Sequence, residues 1–240
     1  MSIKSWPKAE RPREKLLAKG VAHLSDAELL AILLRVGVKG TSAVALGREL
    51  IQKHQTLGQL FALPLVEFTS ERGLGVANFA QFTVVKEVAK RILLEELKTV
   101  DVWQGPEQVR QYLRLHLANL KIEQFVALFL NQQNQIVAIE VLSEGTVNQN
   151  MVYIREVVKR ALNHHATGLI VAHNHPSGGL KPSTADLTLT RRLAEALLLV
   201  DVVLLDHFIV SPNGIMSFQE EGYWPDGKRA SKRGSVHEGL

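Results

Sequence analysis

Residues 168–200 read GLIVAHNHPSGGLKPSTADLTLTRRLAEALLLV, and their interpretation sets the architecture of the chain. The opening GLIVAHNH has the length and apolar content of a buried strand. A loop containing proline and a glycine pair follows, and from Ser183 the segment STADLTLTRRLAEALLLV has the pattern of a helix. A second apolar run, VVLLDHFIVS at 202–211, then predicts another strand. Strand, loop, helix and strand in succession point to an α/β domain around a mixed sheet.

Working outward, FVALFLNQQNQIVAIEVL at 125–142 places two apolar runs around a polar NQQNQ turn, which predicts a β-hairpin. REVVKRALNHHA at 155–166 is a helix with Val157, Val158, Ala161 and Leu162 on one face, and NGIMSF at 213–218 is a hairpin end. The first hundred residues read instead as short helices. SDAELLAILLRVG carries a capping box, Ser25 with Glu28, and is expected to end at Gly37. TSAVALGRELIQKH and VANFAQFTVVKEVAKRILLEELK follow. The stretch TVDVWQGPEQ breaks the helical pattern and sets an expected boundary near residue 101. The expected organisation is a helical domain over 1–101, an α/β domain over 102–224 and a flexible basic tail over 225–240.

Of the 240 residues, 46% are hydrophobic and 22% charged, enough to bury a core. The absence of cysteine excludes disulfides, thiolate zinc ribbons, iron–sulfur clusters and a cysteine nucleophile. The N-terminus is polar, and the apolar stretch 193–210 is interrupted by Glu195, Asp201, Asp206 and His207, so a cytoplasmic protein with no membrane segment is expected. Residues 1–101 carry 15 Lys and Arg against 11 Asp and Glu, whereas residues 102–240 carry 13 of each. The excess positive charge in the first half makes DNA a candidate partner for residues 1–101. A solvated helical surface accounts for the same charge.

The chemistry concentrates in AHNHPSGGLKPSTAD at 172–186. Histidines two apart on a strand project from the same face, so His173 and His175 point at one spot while Asn174 faces away. Two neutral imidazoles and the carboxylate of Asp186 are three ligands for a first-row metal. A catalytic zinc uses three protein ligands and leaves a fourth position for water. Ser183 and Asp186 also fit S-x-x-D, a capping box. The two roles are compatible, since one carboxylate oxygen can cap the helix while the other meets the metal.

The set H-x-H-x₇-S-x₂-D resembles the JAMM (MPN+) signature of zinc isopeptidases. Together with RPREKLL, LSDAELLAILLRVGVKGTSA, EQFVALFLN, REVVKRAL and LLDHFIV, it resembles the bacterial RadC family over residues 10 to 224. The resemblance implies an MPN (JAB1/MPN, cytidine-deaminase-like) mixed-sheet domain over 102–224, preceded by a helical unit similar to a helix-hairpin-helix. It also implies one zinc per chain held by His173, His175 and Asp186. Asn131 and Ile154 depart from the family pattern, and neither is a motif ligand. The signature requires an upstream glutamate as general base. Glu123, in EQFVALFL, matches its usual context, with Glu140 and Glu144 as competitors. His164 and His165 end a helix and read as structural, and His207 beside Asp206 reads as a satisfied core pair, the alternative being that it orients a neighbour of the metal.

The function these features imply is hydrolysis of a peptide or isopeptide bond in a peptide or protein substrate. Glu123 acts as general base and Ser183 supports the oxyanion. The alternative is a DNA-associated, repair-type protein whose helical domain binds nucleic acid and whose metal domain is a nuclease or accessory module. An intact but idle site in a scaffold is a third reading, which the complete ligand set disfavours.

Overall fold

The computed structural model describes residues 3–99, 101–102, 106–145 and 152–224, so the expected tail lies outside the described residues. The chain divides into two compact units, Met1–Ala89 and Lys90–Leu240. No helix among the described residues is long and apolar enough to cross a membrane.

The first unit holds α1 (Pro12–Lys19), α2 (Asp26–Leu34), α3 (Ala43–His54), α4 (Leu57–Phe61), α5 (Leu65–Ser70) and the start of α6 (Val76–Thr99). The capping box of α2 forms as expected, Ser25 and Glu28 each accepting the other's backbone N–H. The helix stops before Gly37, because Arg35 takes φ +65° and sends its N–H to Ala31 O at 3.1 Å. Gly47 lets α3 close on α2, since a Cβ there would lie 2.6 Å from the Ala27 carbonyl oxygen. Leu30, Leu46, Leu60, Phe68 and Phe82 form the core beneath them.

The second unit adds α7 (Pro106–Leu117), β1 (Glu123–Leu130), β2 (Ile136–Gly145), α8 (Ile154–Asn163), β3 (Gly168–Asn174), α9 (Thr184–Leu198), β4 (Val203–Ser211) and β5 (Gly214–Ser217). The sheet order is β2-β1-β3-β4-β5, and only β3 and β4 run parallel. This is the expected mixed sheet with both hairpins, β1–β2 and β4–β5, in place. The sequence break near 101 marks the end of α6, whereas the division into units falls inside that helix. Leu93, Leu94 and Leu97 pack into the core of the second unit, which is why its compact boundary precedes the break.

Side chains alternate across β1 and give the sheet two apolar faces. Val126, Leu128 and Leu130 meet Val109, Tyr112, Leu113 and Leu117 of α7. Phe125, Ala127 and Phe129 meet Val157 and Ala161 of α8 and Leu193 and Leu197 of α9. The β3–β4 register slips by one residue: Leu169 pairs with Leu204, but Ile170 pairs with Asp206. The extra residue shifts the phase of β4, so His207 comes to the same face as Leu204, Val171 and His173. Asp206 goes to the other face. There Oδ2 accepts from Ser217 Oγ at 2.6 Å, and Oδ1 accepts the N–H groups of His207 and Gln219.

Burial pushes the Asp206 carboxyl up to about 6, although its three hydrogen bonds favour the charged form. A folded-state pKa above the unfolded one stabilises the fold fully below the unfolded value, and that stabilisation is lost as pH rises through about 6. Asn at this position keeps the carbonyl acceptor and removes the buried charge. Relative to the native protein, Asp206→Asn is expected to gain about 2–3 kcal/mol on going from about pH 4 to about pH 7. Urea unfolding across that range checks this, and a pH-independent difference would contradict it.

Candidate metal centre

The centre forms where β3 ends. The His175 N–H extends the parallel ladder to Val210 O at 2.8 Å, so the backbone stays extended past Asn174 and both histidines emerge on one side. The chain then turns sharply, Gly178 N–H bonding back to His175 O at 3.0 Å. Gly178 has φ +89°, and a Cβ would lie 2.8 Å from Asn213 Nδ2, so the turn requires glycine. Its effect is to bring the Gly179 carbonyl to His175 Nδ1 at 3.2 Å. Ser183 and Asp186 then open α9 with the expected capping box.

Asp186 Oδ2 accepts the Ser183 N–H and the Ser183 hydroxyl, both at 2.7 Å. Its Oδ1 faces His173 Nε2 at 3.3 Å, and Oδ2 lies 3.7 Å from His175 Nε2. One carboxylate therefore caps the helix and meets both imidazoles. Glu123 enters from the start of β1, with Oε1 4.0 Å from His175 Nε2. These groups line a cleft of about 550 Å³ whose apolar wall includes Phe125, Val152 and Leu189.

The Nε2 atoms of His173 and His175 face each other at 3.0 Å. A carbonyl only accepts hydrogen bonds, so the contact with Gly179 O places the His175 proton on Nδ1 and leaves Nε2 with a lone pair in the neutral ring. Nitrogen lone pairs and carboxylate oxygens this close require a cation among them, either a proton or a metal ion. The donor set, imidazole nitrogens with Asp186 or Glu123 oxygens, fits a borderline first-row ion. Without such an ion, the hydrogen bond to Asp186 raises the pKa of His175, against the opposing effect of burial. Burial alone would raise Asp186, but its contacts with His173 and His175 outweigh this and hold it well below the usual carboxylate range.

The structure brings Glu123, His173, His175, Ser183 and Asp186 together and leaves the competing glutamates outside. Glu144 pairs across the hairpin with Gln124, on the face opposite Glu123. Glu140 pairs with Ala127, four residues along β1 and so roughly 13 Å away, and it bonds Arg160 and His164. His164 is thereby structural, as read from the sequence.

Asn174 has a role the sequence reading missed, and His207 takes the less favoured of its two. The His207 ring does not bond the Asp206 side chain, which accepts from His207 only its backbone N–H. The ring is fully buried and bonds His173 Nδ1 at 2.8 Å and Thr190 Oγ1 at 2.7 Å. Burial holds its pKa well below the ordinary value. Asn174, facing away from the centre, accepts from Gln124 N–H at 2.8 Å and donates to Ile122 O at 3.0 Å. It clamps the backbone on either side of Glu123 to the strand that carries both histidines. The only sequence signal for this is a fully polar residue at a buried strand position.

Residues 103–223 match the family described as RadC-like JAB domain, and residues 3–80 match UPF0758 N-terminal. A UPF0758 protein of Neisseria meningitidis is 54% identical over 225 residues, covering 94% of this chain and all of the relative. One from Nitrosospira multiformis is 54% identical over 222 residues, covering 92% of this chain and 99% of the relative. One from Chromobacterium violaceum is 50% identical over 223 residues, covering 93% and 100%.

Asn174→Leu removes the clamp at similar volume and strands the Gln124 N–H and the Ile122 carbonyl. The expected loss in urea unfolding is about 2–4 kcal/mol, the cost of leaving such groups without partners. A loss under about 1 kcal/mol would show that the clamp contributes little to the fold.

Proposed function

The chain belongs to the RadC family of JAB-domain proteins, and from that premise we propose that it is a zinc-dependent hydrolase of peptide or isopeptide bonds. The observation that carries the proposal is the pair of imidazole Nε2 atoms facing each other beside Asp186, with a second carboxylate, Glu123, at the same cleft.

His173, His175 and Asp186 would hold one zinc per chain. Asp186 suits the third place better than Glu123 because it lies 3.7 Å from His175 Nε2, against 4.0 Å for Glu123, also faces His173 at 3.3 Å, and is fixed by Ser183. Bound there, the ion supplies Lewis acidity, polarising a carbonyl and lowering the pKa of a water. Glu123 is then the general base. Its carboxylate takes a proton from the water as the water oxygen bonds to the carbonyl carbon. It returns that proton to the nitrogen as the C–N bond breaks, leaving a carboxylic acid and an amine.

Ser183 Oγ accepts from Asp186 N–H at 3.1 Å and donates to Asp186 Oδ2. A hydroxyl hydrogen turns freely about its C–O bond. The Ser183 proton can therefore swing to the carbonyl oxygen as charge develops, where a preorganised donor helps most. Asp186 keeps the Ser183 backbone N–H throughout, so the cap survives the swing. The apolar wall of Phe125, Val152 and Leu189 sets a partly dry flank beside the reacting bond.

Purified protein is expected to carry close to one zinc per chain, and His173→Ala or Asp186→Ala to lose it. Glu123→Gln keeps the zinc and loses peptide hydrolysis by a factor of ~10²–10⁴. Glu140→Gln and Glu144→Gln remain near native. Elemental analysis and turnover on the same preparations decide the matter. Metal loss in Glu123→Gln, or normal turnover by it, would contradict the assignment of the base.

A further inference from the structure

Behind His173 lies a row of hydrogen bonds whose direction can be worked out from its far end. Thr190 Oγ1 lies 2.7 Å from the Asp186 carbonyl oxygen one turn earlier in α9. Two oxygens at that distance need a hydrogen between them, and the carbonyl has none, so the threonine hydroxyl must donate there. Thr190 then offers only lone pairs to His207 Nδ1 at 2.7 Å, which must carry a proton and donate. His207 is fully buried among Phe125, Phe218 and His173, so its ring is neutral and its Nε2 is an acceptor. His173 Nδ1, at 2.8 Å, must therefore donate to it. A neutral His173 with its proton on Nδ1 has a bare lone pair on Nε2, the atom turned towards His175 and Asp186.

We propose that Thr190 and His207 are positioning residues that order the protons of this buried row so that His173 always presents an unprotonated Nε2 to the metal. The inference rests on the metal reading above and concerns the preparation of one ligand. Reversing the row would place a proton on His173 Nε2, and that proton would have to leave before a metal could bind. The start of the row is a helix carbonyl in α9, the helix that also supplies Asp186. The fold thus couples the tautomer of one ligand to the helix carrying another. The phase shift in β4 is what brings His207 to this face.

The test has two arms, neither of which uses activity. In the first, imidazole nitrogen–proton correlation spectra of the metal-free native protein at alkaline pH are expected to show His173 and His207 both protonated at Nδ1. His173 protonated at Nε2 would overturn the proposal. In the second, zinc affinity is measured by chelator competition. Thr190→Val is expected to bind zinc about 10–100-fold more weakly, the usual effect of removing a partner that orients a ligand. Thr190→Ser, which keeps the hydroxyl, should stay within about threefold of native. Native affinity in Thr190→Val, or equal losses in the valine and serine variants, would overturn the proposal. Failure of the hydrolase reading is separate, because it leaves both arms intact. A native protein that binds no zinc would sink the metal reading, while the spectra would still decide the order of the row.

Discussion

The end of β3 holds two imidazole nitrogens 3.0 Å apart, and that proximity constrains the rest of the second unit. Bare lone pairs at this separation repel, so the arrangement is sustained only by a cation and by rigid support behind each ring. His173 has the buried row through His207 to Thr190, and His175 has the carbonyl of Gly179. Asp186 balances the charge between them and is itself fixed by the cap of α9. Removing any one support leaves the others holding a geometry that has lost its reason.

The fold supplies these supports from elements far apart in sequence. The parallel pairing of β3 with β4 continues to His175 and sets His207 directly behind the site. Antiparallel pairing with β1 sets Phe125 against His173 and brings Glu123 to the rim. Asn174 ties the approach to β1 to the same strand. The apolar layers on both sides of the sheet hold these strands at fixed spacing, so the polar row lies in a packed setting where its hydrogen bonds are strong.

Much of this was legible in the chain itself. The strand-turn-helix grammar of 168–200, both hairpins and both capping boxes formed as read, because each depends on local pattern and side chains a few residues apart. The convergence of His173, His175 and Asp186 was legible for the same reason: period-two alternation and a helix N-terminus fix it locally. The pairing partners of His207 were not. A strict alternation through β4 would put His207 opposite Leu204, and only the one-residue slip against β3 brings the two to one face. The role of Asn174 depends on a strand fifty residues earlier, and nothing near it in sequence signals that contact. The exclusion of Glu144 likewise required the hairpin register, which places it with Gln124.

The most direct test of the account is anomalous diffraction at the zinc edge from crystals of the zinc-loaded protein. One strong site per chain is expected. Nε2 of His173 and of His175 should lie at about 2.0–2.1 Å from it and an Asp186 carboxylate oxygen at about 2.0–2.2 Å, with Glu123 beyond bonding distance. A site held by Glu123 in place of Asp186, or no site between the two histidines, would contradict it.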